Sequence, residues 1–137
     1  MSRVYKVYVC HSWSHLDDLE NLRRLLKERG YFNVVFKEHS PYEAINSSNA
    51  TYIKQRLKQS ILESDIVLGL AGIYSSHSDW IDWEIQTAYE NQIPIIGVVP
   101  RGQSRISQTI LKRSKDNVNW STESIVEAVR KYSKLGQ

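Results

Sequence analysis

From Val4 onward the chain alternates short apolar runs with amphipathic stretches, and this rhythm limits it to a small set of folds. Val4 to Cys10 and Phe32 to Phe36 read as the first two strands, and Asp65 to Leu70 is apolar enough to be a central one. Pro94 to Val99 and the short run Asn117 to Trp120 give a fourth and a fifth. Between them, Leu16, Leu19, Leu22, Leu25 and Leu26 recur at helical spacing, with Ser14 and Asp17 at the start and Gly30 at the end. Ile53, Leu57 and Ile61 mark a second helix, and Ile81, Ile85, Ala88 and Tyr89 the buried stripe of a third. A weaker helix is expected over Gln103 to Leu111, and Ser121 opens a last one bearing Ile125, Val126, Val129 and Tyr132.

Five such units predict an α/β fold of the flavodoxin-like, doubly wound kind, with a mostly parallel five-stranded sheet and helices on both faces. At 137 residues the chain, 1–137, reads as a single domain. Ligands of such folds bind beyond the carboxyl ends of the strands. That rule gathers His11 to Ser14, Lys37 to Ser48, Ala71 to Asp79 and Arg101 to Gly102 on one rim.

Composition narrows the partners. The net charge is only +3, and the basic residues are scattered without a nucleic-acid-binding motif, so no nucleic acid is expected. The single cysteine, Cys10, excludes an internal disulfide framework and suits a reducing compartment. With neither an apolar leader at the amino terminus nor a membrane-length apolar run, a cytoplasmic protein without membrane contact is expected. The histidines show no metal-ligand spacing, so no metal site is expected.

Chemistry concentrates in Ser78-Asp-Trp-Ile-Asp-Trp-Glu84, which opens the third helix just after the central strand. Trp80 and Glu84 stand one turn apart on the same helix edge. With Ile81 taken as the centre of the buried stripe, Glu84 falls at the border of the core and Trp83 points nearly away from it. A carboxylate held beside an aromatic at such a rim can stabilise a cationic sugar. The same glutamate would also be favoured by the helix dipole alone, and a tryptophan at Trp80 would equally serve to cover the sheet end. His11-Ser12-Trp13 ends the first strand and either caps the following helix or offers its amides to a phosphate. Cys10 and His11 point to opposite faces of a strand, which argues against a nucleophile–base pair.

The missing motifs discriminate too. The acidic positions of a phosphoacceptor receiver are absent, and neither a G-x-G-x-x-G turn nor a Walker A loop is present.

Three segments together resemble the TIR and TIR-like domains: Val-Tyr-Val-Cys-His-Ser-Trp, Ser64-Asp-Ile-Val-Leu-Gly-Leu, and Trp80-x-x-x-Glu84 followed by Ile-Pro-Ile-Ile-Gly-Val. The resemblance runs from about Val4 to Val99 and is nearest to the small bacterial and archaeal group that includes the Thoeris anti-phage defence proteins. It implies an enzyme in which Glu84 is catalytic for breaking the nicotinamide–ribose bond of NAD. The products would be nicotinamide and ADP-ribose or a cyclised form of it. NAD would be a substrate and no cofactor would be needed. Trp80, His11, Ser12, Trp13 and Lys37 would bind the substrate. The resemblance further implies a homo-oligomer and a diffusible nucleotide signal for a separate effector. Ser12-Trp13 replaces a basic residue found in many such enzymes, and Ile81 a cysteine, so backbone amides, Arg101 or Lys37 would take over phosphate binding. Two other readings stand beside this one: a non-catalytic TIR-like interaction module using Trp83, and a nucleoside or nucleotide glycosyl-transfer enzyme.

Overall fold

The computed structural model describes residues 4–10, 17–30, 33–37, 50–70, 79–99 and 108–133. These form five strands, β1 (Val4–Cys10), β2 (Asn33–Lys37), β3 (Ile66–Leu70), β4 (Ile95–Val99) and β5 (Asp116–Asn119). The helices are α1 (Asp17–Arg29), α2 (Ala50–Leu62), α3 (Asp79–Glu90), α4 (Gln108–Arg113) and α5 (Thr122–Tyr132). The strands join in one sheet of order β2-β1-β3-β4-β5, with every neighbouring pair parallel. This is the expected doubly wound layout, and its order reverses between β1 and β3, where such folds open their ligand crevice.

Alternation along the strands sorts the core into two layers. Tyr5, Val7, Val9, Ile66, Leu68, Leu70, Ile96 and Val98 face α1 and α5, where Leu22, Leu26, Ile125, Val126 and Val129 meet them. Tyr8, Cys10, Val67 and Ile95 face the opposite layer, built from Leu57 and Ile61 of α2, Ile81, Ile85 and Ala88 of α3, and Ile110 of α4. Gly69 and Gly97 are paired in register on that second face. A Cβ on Gly69 would stand 3.0 Å from Ile110 Cγ2, and one on Gly97 3.2 Å from the same atom. The two glycines thus let the short α4 rest directly on the sheet.

Element ends differ modestly from expectation. Helix α4 ends at Arg113 rather than Leu111, with Lys112 and Arg113 in its last turn, where the helix dipole favours them. The first part of that expected helix, residues 103–107, lies outside the described residues. Strand β5 is a largely exposed edge strand beginning at Asp116. Helix α1 does stop at Gly30, which takes a φ of +72°.

Helix α3 is turned further than its apolar residues suggest. Tyr89, expected in the buried stripe, is 56% exposed, whereas Glu84 is 1% and Thr87 7% exposed. Advancing about 100° per residue, the buried arc runs from Thr87 through Glu84 and Ile81 to Ile85, and Glu84 lies about 20° from its centre. Trp83 is half-buried against the second layer, with Lys54 of α2 5.7 Å from its ring centroid, so it is not the outward-facing residue expected. On the other edge, Arg113 Nε donates to Gln86 Oε1 at 2.6 Å, and its guanidinium lies 5.7 Å from the Tyr89 ring centroid. Wedged between α2 and α4, the helix buries the side chains in the middle of that arc, polar or not.

The carboxyl end of α3 is locked by a Schellman motif. The Ile93 N–H donates to the Ala88 carbonyl at 2.9 Å and the Gln92 N–H to the Tyr89 carbonyl at 3.2 Å. Ile93 and Ala88 are both in the second core layer. Gln92 occupies the left-handed position with φ 61°, where a side chain is disfavoured. Replacing Gln92 by glycine is expected to stabilise the protein by about 1 kcal/mol. The check is a higher denaturant midpoint with an unchanged slope.

Candidate active site

Two side chains from distant parts of the chain meet beneath the β1/β3 crevice. Tyr8 lies two residues before the end of β1, and Glu84 lies in the second turn of α3, the helix that follows β3. The Tyr8 hydroxyl donates a hydrogen bond to Glu84 Oε2. Glu84 Oε1 is fully buried and has no hydrogen-bond partner among the described residues. Buried carboxyl oxygens are normally satisfied, so an oxygen without a partner among the described residues makes Glu84 the candidate contact for a bound group.

Burial dominates the electrostatics. It drives the Glu84 carboxyl up from 4.5 to about 8, and the Tyr8 hydrogen bond pulls in the opposite direction without cancelling it. Burial also raises the Tyr8 phenol well above its ordinary value, with the Glu84 charge, Cys10 and the shared hydrogen bond adding to the rise. The Cys10 thiol is raised by burial and then by Glu84. At neutral pH the carboxyl, phenol and thiol of this cluster are therefore all uncharged. A thiol held neutral is a poor nucleophile, so Cys10 serves as a small apolar wall.

The other expected site residues are distributed as follows. Trp80 is the second residue of α3, one turn before Glu84 along the helix, and its side chain lies outside the described residues. Lys37 ends β2 and its backbone is in register with Tyr8, which places it at the same level of the sheet; its side chain is likewise not described. His11, Ser12, Trp13 and Arg101 lie outside the described residues. Among the described residues there is no group of three potential metal ligands, and no helix is long and apolar enough to cross a membrane.

Tyr8 is the site residue that sequence reading missed. It alternates in phase with Cys10 on a buried strand, and a buried tyrosine hydroxyl needs a polar partner. Glu84 is the one acid on the buried arc of α3, so the two signals together would have found the pair.

The raised carboxyl has a consequence for stability. Native Glu84 holds its proton more tightly than the unfolded chain does, so its contribution is most favourable below about 4.5 and is lost as pH rises toward about 8. The loss is at most about 1.4 kcal/mol per pH unit. Glu84→Gln keeps an acceptor for Tyr8 and carries no charge. It is expected to melt at a higher temperature than the parent at pH 9, with the difference shrinking toward pH 5.

Known proteins share this arrangement of elements. A 2-deoxyribosyltransferase from Bacillus psychrosaccharolyticus superposes with a TM-score of 0.61 at 18% identity, covering 88% of this chain and 89% of its own. The Clostridium botulinum CMP N-glycosidase BcmB gives 0.55 at 14% identity, covering 90% and 97%. The TIR domains of the activated Roq1 resistosome give 0.52 at 14% identity, covering 93% and 70%. At these identities the likeness is one of fold. No curated protein matches the chain by sequence. The family model described as "Thoeris protein ThsB, TIR-like domain" matches residues 8–105, which include both Tyr8 and Glu84. Spanning most of the chain, that match makes this protein a member of the ThsB TIR-like family.

Proposed function

We propose that the protein cleaves the nicotinamide–ribose bond of NAD, with Glu84 as the catalytic carboxylate. The observation that carries this reading is the buried Oε1 of Glu84, without a partner among the described residues, at the β1/β3 crevice of a TIR-like chain. A domain that works only by assembly gains nothing from a carboxyl that lowers its stability, so this placement favours catalysis over a purely adaptor role.

The chemistry follows from charge. The C1′–N bond of NAD breaks with its electron pair passing to the pyridinium nitrogen, so nicotinamide leaves neutral and the ribose becomes oxocarbenium-like. A fixed carboxylate beside C1′ stabilises that charge in a water-poor site. Water attacking C1′ gives ADP-ribose, its proton passing to Glu84 or solvent; a nucleophile within ADP-ribose gives a cyclic product instead. Burial keeps Glu84 protonated at neutral pH, but the pyridinium charge of NAD favours its ionised form, so binding and ionisation reinforce each other. In a Thoeris-type setting either product would act as a defence signal for a separate effector.

A second reading, cleavage or transfer of a nucleoside or nucleotide glycosidic bond, is supported by the near full-length likeness to the deoxyribosyltransferase and the CMP N-glycosidase. Glu84 as a neutral acid could protonate a departing base.

Incubation with NAD is expected to release nicotinamide, and Glu84→Gln to lower the rate by on the order of 100-fold or more. The ratio kcat/KM reports the free enzyme, so it should climb with pH and level off above about 8. The limb in kcat should lie lower, because bound NAD favours the carboxylate. Nicotinamide release that survives Glu84→Gln would remove Glu84 from the reaction. Turnover of CMP or deoxynucleosides without turnover of NAD would establish the second reading instead.

A further inference from the structure

Glu84 has two carboxyl oxygens in different surroundings, and the difference assigns a task to Tyr8, a strand residue with no site role in the sequence reading. Oε2 accepts from the Tyr8 hydroxyl, while Oε1 is buried and open among the described residues. Tyr8 is itself 2% exposed and rooted in β1 between two parallel neighbours, so its ring cannot swing away. We propose that Tyr8 is the positioning residue of this site: its hydroxyl fixes Oε2 so that Oε1 is the oxygen presented to the ligand. The inference rests on Glu84 being the reacting carboxylate, as proposed above, and adds to it the orientation of that carboxylate.

A glutamate side chain in a helix has three rotatable bonds, and an unanchored carboxyl would spread over several rotamers. One fixed oxygen removes most of that freedom, which matters where a misplacement of about 1 Å can cost about 100-fold in rate. The bond also has a preferred charge state. A hydroxyl that donates to a carboxylate is roughly twice as strong a partner as one that donates to a neutral carboxyl. Tyr8 therefore eases the ionisation that burial opposes, in the direction found for Glu84.

Among the described side chains few other groups intervene; Lys37 of β2, in register with Tyr8, has a side chain outside them. On this face β3 and β4 present Val67, Gly69, Ile95 and Gly97, none of them titratable. Cys10 is the other titratable neighbour on β1. The α2 cations Lys54, Arg56 and Lys58 are exposed, as are Asp82 of α3 and Lys112 of α4, and Arg113 of α4 bonds to Gln86 on the far edge of α3.

The test is a series at position 8: Tyr8→Phe, which removes the donor, the parent, and the parent carrying 3-fluorotyrosine there, whose more acidic phenol donates more strongly. The Glu84 titration is followed by carbon-13 NMR of labelled glutamate in the full chain, with Glu84→Gln assigning the resonance. The midpoint should fall in the order Phe, Tyr, fluorotyrosine, with Tyr8→Phe higher than the parent by about one pH unit. The pH limb of nicotinamide release should move with it, kcat should drop at least tenfold at pH 7 in Tyr8→Phe, and KM for NAD should change little. A purely structural tyrosine would change the melting temperature and leave the midpoint in place. An unchanged midpoint across the series, or equal kcat in Tyr8→Phe and the parent, would overturn the proposal. Should the parent release no nicotinamide, the NAD reading falls on that result, whereas the order of midpoints still decides whether Tyr8 governs Glu84.

Discussion

One hydrogen bond, from the Tyr8 hydroxyl to the Glu84 carboxyl, joins the first strand to the helix after the central strand. It lies inside a layer otherwise made of isoleucine, leucine, valine, Ala88 and Cys10, with Trp83 packed against it. Such a layer is a poor solvent for a carboxylate, and an unpaired buried charge would cost several kcal/mol. Retaining the proton at neutral pH is how the fold avoids that cost. Tyr8 satisfies one oxygen, and the other has no partner among the described residues. The site is thus built by two opposed influences, burial that favours the neutral acid and a donor that favours the ionised one.

The rest of the structure serves to hold these two residues together. The phase of β1 sends Tyr8 and Cys10 into the second layer and Val7 and Val9 into the first. Contacts on both edges of α3, from Lys54 to Trp83 and from Arg113 to Gln86 and Tyr89, set its rotation so that Glu84 faces the sheet. Gly69 and Gly97 admit α4 close to the sheet, which closes the layer on one side. The Schellman turn at Gln92 and Ile93 fixes where α3 ends and β4 begins. A change in any of these would rotate or lift α3 and separate the carboxyl from its donor.

The strand and helix rhythm was plain in the chain because apolar periodicity reports burial directly, and Val4–Cys10 and the Gly30 stop agree with it to the residue. The orientation of α3 was less legible. Apolar positions alone put Ile81 at the centre and Tyr89 in the core, but neighbouring helices on both edges turned the buried arc toward Glu84. A buried polar residue subtracts from the very signal used to find the buried face. Tyr8 was missed for a related reason: a tyrosine in an apolar strand reads as core, and its hydroxyl gains meaning only once a partner 76 residues away is placed beside it. Glu84 itself was found through its spacing from Trp80 and its place after the central strand, and its degree of burial is what the structure corrected.

The protonated resting state bears on which leaving groups such a site suits. A neutral nucleobase leaves as an anion unless it is protonated, so its departure needs an acid, and Glu84 with its proton on the free oxygen is one. A pyridinium leaves neutral and needs no acid; it needs a carboxylate, and its own positive charge draws one out by favouring loss of the proton. One buried carboxyl with one fixed oxygen therefore suits either bond, and the charge of the bound substrate selects its form. Choice of substrate then cannot reside in Glu84 and Tyr8. On the proposed reading it falls to the groups that decide which ring is brought against Oε1, and the rim above the strands, where Asp79 begins α3 and Lys37 ends β2, is the place to seek them.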